Sequence, residues 1–332
     1  MSALTHSGMW RPAGRMVGHP VVRVVLRRAV LAVPLLFVVS ALSFVLSSLA
    51  PTNVIDLRLP SGTAAQRAQL ARQLGFDQPI YDRYWHWLVH ALGGNLGTSY
   101  VTGQRVTTEI GQRFPVTLSL VIPTMLVMFV IGVGAGVASA VRGGAVGRAI
   151  DTLSLVGFAL PGFWVGAVLV SLFAVRLHLF PAIGYVSLAQ SPTDWARSMV
   201  LPVAALSLLP IAVMARQMRE AMMDVLASEH VRMARANGIP PRLIVGRLAL
   251  KSASMRAVTV GGLQVVGLLT GTLFVEQVFT LPGLGSGLTA AASTGDVPVL
   301  QGIVVFFTLI IVVINLAVDL TYTLLDPRMR TS

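Results

Sequence analysis

The sequence predicts an all-α integral membrane protein that crosses the bilayer about six times. The composition is the first observation behind this prediction. Of the 332 residues, 55% are hydrophobic and 11% are charged, whereas soluble domains carry about 25% charged residues. The mean hydropathy of +0.76 is too high for a single core packed in water. The second observation is a series of apolar runs, each of a length that can cross the hydrocarbon layer as a helix.

Six charge-free stretches are the candidates for these crossings. The first is longer than the apolar core of a cleaved signal peptide, so we interpret it as a retained helix. The fourth holds Pro202 and Pro210, which a spanning helix tolerates when its neighbours satisfy the freed carbonyl groups. The predicted spans are Ala29–Ala50, Pro115–Ala140, Thr152–Val175, Met199–Ala215, Ala257–Val275 and Val297–Val318.

The distribution of arginine predicts the orientation of the spans. Arginines cluster before the first span, between the second and third, between the fourth and fifth, and after the sixth. Because positively charged short loops stay in the cytoplasm, we expect a multi-pass protein of the cell membrane with both termini inside. The predicted units are a cytoplasmic segment 1–28, a first helix 29–51, an extracytoplasmic loop 52–114, a five-helix domain 115–325 and a cytoplasmic tail 326–332.

The predicted extracytoplasmic loop is too long to be a simple connector. Its arginines weigh little in the orientation argument, because the positive-inside rule is weak for loops of about 60 residues. Tyr81, Tyr84, Trp85, Trp87 and Leu88 follow one another at helical spacing. Aromatic residues in that pattern are typical of a helix at the membrane interface, in contact with lipid, or of a docking surface for an external partner.

Several chemical functions are excluded by the sequence. Cysteine is absent and Lys251 is the only lysine, so the chain has neither a thiolate nucleophile nor a Gly-Lys-Ser/Thr phosphate loop. The Gly283-Leu284-Gly285 stretch indicates a turn, and His86 and His90 indicate a surface helix with no third metal ligand nearby. The net charge is +12, and the basic residues responsible for it lie between the apolar runs. This distribution indicates membrane topology, and we expect no nucleic acid partner. We expect a non-catalytic chain without a cofactor or metal of its own.

Two acidic residues lie close to membrane depth. Glu276 falls at the end of the fifth predicted span and Asp319 just after the sixth. Ionisable groups in the hydrocarbon layer are costly and often functional. Each residue is therefore assigned either to packing and interfacial pairing or to the translocation path.

The predicted internal loop 216–256 contains the most informative stretch. Residues 229–238 read Glu-His-Val-Arg-Met-Ala-Arg-Ala-Asn-Gly. This pattern predicts a short helix that ends at Gly238 in the left-handed conformation, followed by a restart at Pro240 and Pro241. On its own the stretch is an ordinary helix–turn–helix connector.

The same stretch resembles the coupling loop of binding-protein-dependent ABC importer permeases, in particular those of the dipeptide/oligopeptide family. In the peptide branch of that family the loop reads Arg-Thr-Ala-Arg-Ala-Lys-Gly, and residues 232–238 here read Arg-Met-Ala-Arg-Ala-Asn-Gly. The resemblance implies a helix that docks in a groove of an ATPase subunit. It assigns this coupling role to Glu229, Arg232, Ala234, Arg235, Ala236 and Gly238.

The resemblance extends from about residue 22 to residue 330. Segments 160–166, 216–226, 274–285 and 296–302 match family patterns, whereas the usual Pro-Gly-Asp-Pro after the first span is replaced by residues 51–54, Pro-Thr-Asn-Val. It implies the type I ABC importer transmembrane fold, and the long first loop implies the B-type permease subunit.

The resemblance also implies the function and the partners. The chain would provide half of a translocation pathway for di- or oligopeptides, with glutathione or a nickel complex as alternative substrates. The implied partners are a second permease subunit forming a heterodimer, two ATPase subunits that bind ATP and Mg, and an extracytoplasmic solute-binding protein.

A stand-alone secondary transporter is the rival class. Such a protein needs charged or ion-binding residues in the middle of its spans, and the predicted spans carry almost none. The two classes differ in whether the purified chain alone moves solute across a liposome membrane.

The predicted orientation can be tested by labelling, because the natural chain has no cysteine. A membrane-impermeant thiol reagent added to intact cells should label Ser61→Cys and leave Asn237→Cys unlabelled. Both positions should react after the cells are opened. The reverse pattern in intact cells would invert the topology.

Overall fold

The computed structural model describes residues 20–49 and 54–325. Over these ranges the regular structure is helical, apart from one isolated bridge between Thr98 and Arg105. The helices are α1 (Pro20–Leu49), α2 (Val54–Arg58), α3 (Ala64–Gln73), α4 (Ile80–Leu92), α5 (Val106–Val127), α6 (Val133–Arg142), α7 (Gly144–Ala159), α8 (Gly162–Leu169), α9 (Pro192–Leu226), α10 (Glu229–Ala236), α11 (Pro241–Leu243), α12 (Leu250–Val278), α13 (Leu284–Thr294) and α14 (Val297–Leu325). Three π-helical segments, Met128–Gly132, Val170–Arg176 and Ile244–Ala249, continue α5, α8 and α11.

Some predicted units fall outside the described residues. The predicted tail 326–332 does so entirely, and the predicted segment 1–28 does so up to residue 19. Residues 50–53, where the predicted helix 29–51 meets the predicted loop 52–114, are also outside.

Five helical stretches in the described residues are long and apolar enough to cross a membrane, and one bent pair of helices makes a sixth. This confirms the prediction of an all-α protein with about six spans. The helices extend beyond the charge-free windows: the second starts at Val106 where Pro115 was predicted. The five stretches are Val25–Leu49, Val106–Arg142, Pro192–Leu226, Pro241–Val278 and Val297–Thr321.

The third predicted span is bent in the structure instead of being one straight helix. It was predicted as one helix over Thr152–Val175, but Gly147–Ala159 and Gly162–Arg176 meet at an angle of 98°. Pro161 explains the break, because proline disfavours the helical conformation of the residue before it. Leu160 is accordingly extended, with ψ of 121°.

α9 is the central helix of the bundle and packs against α5, α6, α7, α8 and α12. It runs unbroken through Pro202 and Pro210 and buries Met214, Ala215 and Met218. Two glycines let the helix that ends in α6 come close to it. A Cβ on Gly136 would lie 2.6 Å from the Ala215 carbonyl oxygen, and one on Gly132 would lie 2.7 Å from the Met214 Cβ. Small residues at such contacts are typical of helix packing in membranes.

Two polar contacts hold α1 against its neighbours at different depths. At one, Arg28 pairs with Asp319 of α14. At the other, the Ser40 hydroxyl lies 2.9 Å from the Tyr84 hydroxyl of α4, and the Gln301 side-chain amide of α14 donates to the Ser40 carbonyl oxygen at 2.6 Å. Along α14 the two contacts are about 27 Å apart at 1.5 Å per residue.

The two ends of the bundle have different character. The end that carries α10 and residues 216–256 holds many exposed arginines, and we call it the basic end. The end that carries residues 54–105, 177–191 and 279–296 we call the loop end.

At the loop end the predicted aromatic helix is α4. Tyr84 packs on α1, with its ring edge-on to Phe44 at a centroid distance of 5.5 Å, whereas Tyr81 and Trp85 are exposed. The exposed Tyr81 and Trp85 are compatible with contact to lipid at the membrane interface and with docking of an external partner. Both interpretations of α4 therefore remain predictions.

The predicted turn at Gly283-Leu284-Gly285 is the start of a helix that the sequence did not reveal. Leu284 is fully buried at the first residue of α13, in a cluster with Ile110 of α5 and Ile303 of α14. α13 is rich in glycine, alanine, serine and threonine, so it lacks the apolar periodicity that predicts helices.

The contact between α6 and α9 predicts a stability difference between two neighbouring glycines. Gly136→Val should lower the free energy of unfolding by about 1–3 kcal/mol, because the added atoms overlap the α9 backbone. Gly134→Val is the matched control, since a Cβ there would meet no other described atom within 4 Å. The measurement is the temperature at which the detergent-solubilised protein aggregates. Equal losses for both variants would contradict the close contact.

Candidate functional site

The candidate site is α10, which lies at the basic end between α9 and the segment that leads into α12. Val231 and Ala234 are buried and form a small apolar cluster with Ile244. Val225 and Leu226 at the end of α9 and Leu248 before α12 pack against the same cluster. One face of α10 is therefore held against the ends of two spanning stretches.

The end of α10 is built as the sequence predicts. Gly238 has φ of +74°, a left-handed conformation that costs glycine little. The Gly238 amide donates to the Arg235 carbonyl oxygen at 3.0 Å, and the Ile239 amide donates to the Ala234 carbonyl oxygen at 3.1 Å. These are the two bonds of the Schellman motif, which satisfies carbonyl groups at a helix end. Pro240 and Pro241 then begin α11.

The opposite face of α10 is open. Of the six residues assigned to coupling, Ala234 faces the chain's own cluster, while Glu229, Arg232, Arg235, Ala236 and Gly238 are exposed. The sequence interpretation placed both alanines at a partner's surface, and the structure leaves only Ala236 in position for that. Arg232 and Glu229 form an ion pair of 3.3 Å on this face.

Met233 is an exposed residue of α10 that the motif did not point to. Its exposed fraction is 66%, so its apolar side chain is accessible to a partner at this end of the bundle. Helical periodicity could have found it, because Val231 and Ala234 define the buried face and Met233 lies off that face.

Two ion pairs tie α9 to its neighbours at the basic end. Arg219 lies 3.3 Å from Asp151 of α7, and Arg256 of α12 lies 3.2 Å from Asp224. All four side chains are partly exposed, so each pair contributes little to stability. They do fix the side-by-side order of α7, α9 and α12 close to α10.

A groove of about 280 Å³ runs between α8, α9 and α12. Gln264 and Gly267 of α12 line it, and the rings of Phe163 and Phe274 approach with centroids 6.3 Å apart. Its lining carries no charged side chain. The sequence interpretation did not identify these residues, because an uncharged groove leaves no signal in composition.

Glu276 and Asp319, the two candidates for the translocation path, have separate surroundings. Glu276 is fully buried at the end of α12, where its carboxylate accepts hydrogen bonds from Thr117 and from the Ser286 amide. Asp319 pairs with Arg28 on α1. Of the two interpretations of these residues, the contacts are those expected for packing and interfacial pairing. Neither residue lines the groove between α8, α9 and α12.

These features define a multi-pass helical membrane component that presents a short helix, α10, at its basic end. The chain belongs to the family described as binding-protein-dependent transport system inner membrane component, whose model matches residues 128–331. The family's N-terminal membrane component matches residues 21–121. The protein is thus a non-catalytic inner-membrane component of a binding-protein-dependent ABC transporter, which works with an ATPase and a binding protein.

Two relatives align over nearly their whole length. The chain is 34% identical over 327 residues to the di/tripeptide transport system permease protein DppB of Pseudomonas aeruginosa, covering 92% of this chain and 97% of that one. It is 36% identical over 308 residues to the glutathione transport system permease protein GsiC of Escherichia coli O6:H1, covering 92% and 98%.

A solved structure has the same fold. The MetNI methionine ABC transporter, in inward-facing conformations, matches with a TM-score of 0.55 at 18% identity. The match covers 66% of this chain and 97% of that chain. It confirms the ABC importer transmembrane fold.

The packing of α10 predicts that two alanines in the same helix respond differently to the same change. Ala234→Arg should detach α10 from the apolar cluster, because the long charged side chain cannot fit where Ala234 is 7% exposed. Ala236→Arg should leave α10 in place, since Ala236 is exposed. Hydrogen exchange of the 229–238 amides should be fast in the first variant and unchanged in the second. Fast exchange in both would mean that the cluster does not hold α10.

Proposed function

We propose that the chain is one of the two permease subunits of an ATP-driven importer of di- or oligopeptides. It would supply half of the translocation pathway and one coupling helix, α10. The single observation that carries the proposal is the geometry of α10, which is held on one face by the ends of two spans and open on the other. In this proposal Glu229, Arg232, Ala234, Arg235, Ala236 and Gly238 have the coupling role, and the geometry of α10 and the family membership support it.

The open face of α10 suits a protein partner. It combines an apolar side chain, Met233, with the guanidinium groups of Arg232 and Arg235. Met and Arg are enriched at protein interfaces. An ATPase surface with a shallow groove and acidic rim would complement it.

The buried face of α10 explains how a movement of the partner would reach the membrane. Val231 and Ala234 contact both the end of α9 and Ile244 before α12. Close-packed apolar contacts resist deformation, so a displaced α10 pushes on α9 and α12 together. A rigid-body change of that kind would switch the pathway between inward-facing and outward-facing states.

The groove between α8, α9 and α12 is our candidate for the chain's half of the pathway. Its lining is apolar and amide, with Gln264 as its hydrogen-bonding side chain. Such a surface binds a peptide weakly, which suits a passage that has to release what it receives. We assign selectivity to the solute-binding protein for the same reason.

Peptides are the proposed substrate class because the Pseudomonas relative is named as a di/tripeptide system. Glutathione is the second candidate, since the Escherichia relative of similar identity is named for it. Dipeptides and glutathione are both short peptides with charged ends, and no side chain in the lining of the groove would favour one over the other.

The complete machine would comprise this chain, a second permease subunit, two ATPase subunits that bind ATP and Mg, and an extracytoplasmic binding protein. The basic end would face the cytoplasm, with both termini inside, because the arginines concentrate there. The loop end would then face the binding protein.

The proposal is tested on the reconstituted transporter. Ala236→Arg should prevent the ATPase subunits from co-purifying with the permeases and reduce ATP-dependent uptake of a labelled dipeptide to background, because the new side chain fills the docking surface. Ala65→Arg places the same change on exposed residues of α3 and should leave co-purification intact.

Three outcomes would reject parts of the proposal. Normal ATPase association of Ala236→Arg would remove α10 from the coupling role. Uptake of glutathione but not of other peptides would favour the second substrate candidate. Solute movement by this chain alone, without ATPase subunits, would indicate a secondary transporter.

A further inference from the structure

The short helix α13 is fixed at its first turn by a buried carboxylate from α12. The Glu276 carboxylate accepts a hydrogen bond from the Thr117 hydroxyl at 2.9 Å and one from the Ser286 amide at 2.8 Å. The Thr117 oxygen in turn accepts the Leu284 amide at 2.8 Å. The first amides of a helix lack partners within it, and a negative charge at that end is favourable. α5, α12 and α13 are therefore joined at one point.

The fit at this joint is close. A Cβ on Gly283 would lie 2.3 Å from the Glu276 carboxyl carbon, and one on Gly285 would lie 3.0 Å from a carboxylate oxygen. Arg113 of α5 packs against Gly287 on the same turn, where a Cβ would lie 2.8 Å from its Cδ. The carboxylate thus lies directly against the α13 backbone, with a guanidinium group nearby.

The other end of α13 is fixed by a second buried carboxylate. Asp296 follows Gly295, whose φ of +70° ends the helix, and is 4% exposed. Its carboxylate accepts hydrogen bonds from the Ser99 hydroxyl at 2.5 Å, the Tyr100 amide at 3.0 Å and the Val101 amide at 3.2 Å. All three donors belong to residues 97–105, the segment of the loop end that leads into α5.

Each joint holds its two elements together for the same reason. A buried carboxylate that loses its hydrogen-bond donors is left as an uncompensated charge, which is strongly unfavourable. Residues 97–105, α13 and the end of α12 therefore have to move together or break a joint. The helix between the two joints has 11 residues and is about 16 Å long.

We propose that α13 is a strut that transmits displacement between residues 97–105 and α12, with Glu276 and Asp296 as the positioning residues at its two ends. This rests on the proposed function: the loop end would receive the binding protein, and α12 begins beside α10. A binding protein that docks on the loop end would then influence the ATPase subunits through residues 97–105, α13, α12 and α10.

The functional test is a double-mutant cycle on the complete transporter in nanodiscs. The readout is the ratio of ATPase rates with and without loaded binding protein, measured for wild type, Glu276→Gln, Asp296→Asn and the double variant. Each single change should reduce this ratio by about fivefold or more. The ratio of the double variant should equal that of the more affected single variant, because the loss of either joint already uncouples residues 97–105 from α12. Losses that multiply, or a ratio that stays at the wild-type value, would overturn the strut.

A distance measurement tests the strut without assuming the substrate or the direction of transport. Spin labels at Lys251→Cys on α12 and Ser293→Cys on α13, both exposed positions, should give one narrow distance distribution in the nucleotide-free and ATP-bound complex. Glu276→Gln should broaden it. Asp151→Asn is the matched control, since the Asp151 carboxylate also joins two helices, through its ion pair with Arg219 of α9, but lies away from α13. An unchanged distribution in Glu276→Gln, or equal broadening in Asp151→Asn, would contradict the proposal.

Discussion

The close contact between α9 and the helices around it is the interaction on which the rest of the structure depends. α9 has neighbours on several sides, and glycines bring two of them near to its backbone: Gly136 of α6 and Gly157 of α7, where a Cβ would lie 3.0 Å from the Ala212 Cβ. Lipid supplies little hydrophobic driving force between helices, so helix association relies on van der Waals contact at short distance. α9 is thereby the helix around which the others pack, and its last turn, with Val225 and Leu226, supplies part of the surface that holds α10.

This arrangement separates the two tasks of the chain. At the basic end α10 has an open face with Met233 and a buried face, at Val231, that packs against the end of α9 and the segment before α12. In the proposed coupling role the open face would bind the ATPase subunit and the buried face would pass its movement on. The loop end binds its own elements through buried carboxylates, Glu276 and Asp296, rather than through apolar contacts alone. Hydrogen bonds of this kind are directional, so they hold α13 in one orientation against α12 and residues 97–105.

The spans were predictable because the bilayer imposes a simple rule: a crossing helix has to be long and free of charge. The end of α10 was predictable because only a residue such as Gly238 adopts a left-handed conformation easily. The bend in the third span was not predicted, since Pro161 breaks its helix whereas Pro202 and Pro210 lie inside an unbroken α9. Sequence alone also cannot show that Glu276 meets Ser286 and Thr117, because that contact depends on how α5 and α12 pack.

The central claim is that the open face of α10 contacts an ATPase subunit. The most direct test places a photo-crosslinking amino acid at Met233 in the complete transporter and identifies the adduct by mass spectrometry. The account predicts an adduct with the ATPase subunit, and none with it from Trp85, which is exposed at the opposite end. An adduct from Met233 with lipid or with the binding protein, or an ATPase adduct from Trp85, would contradict the account.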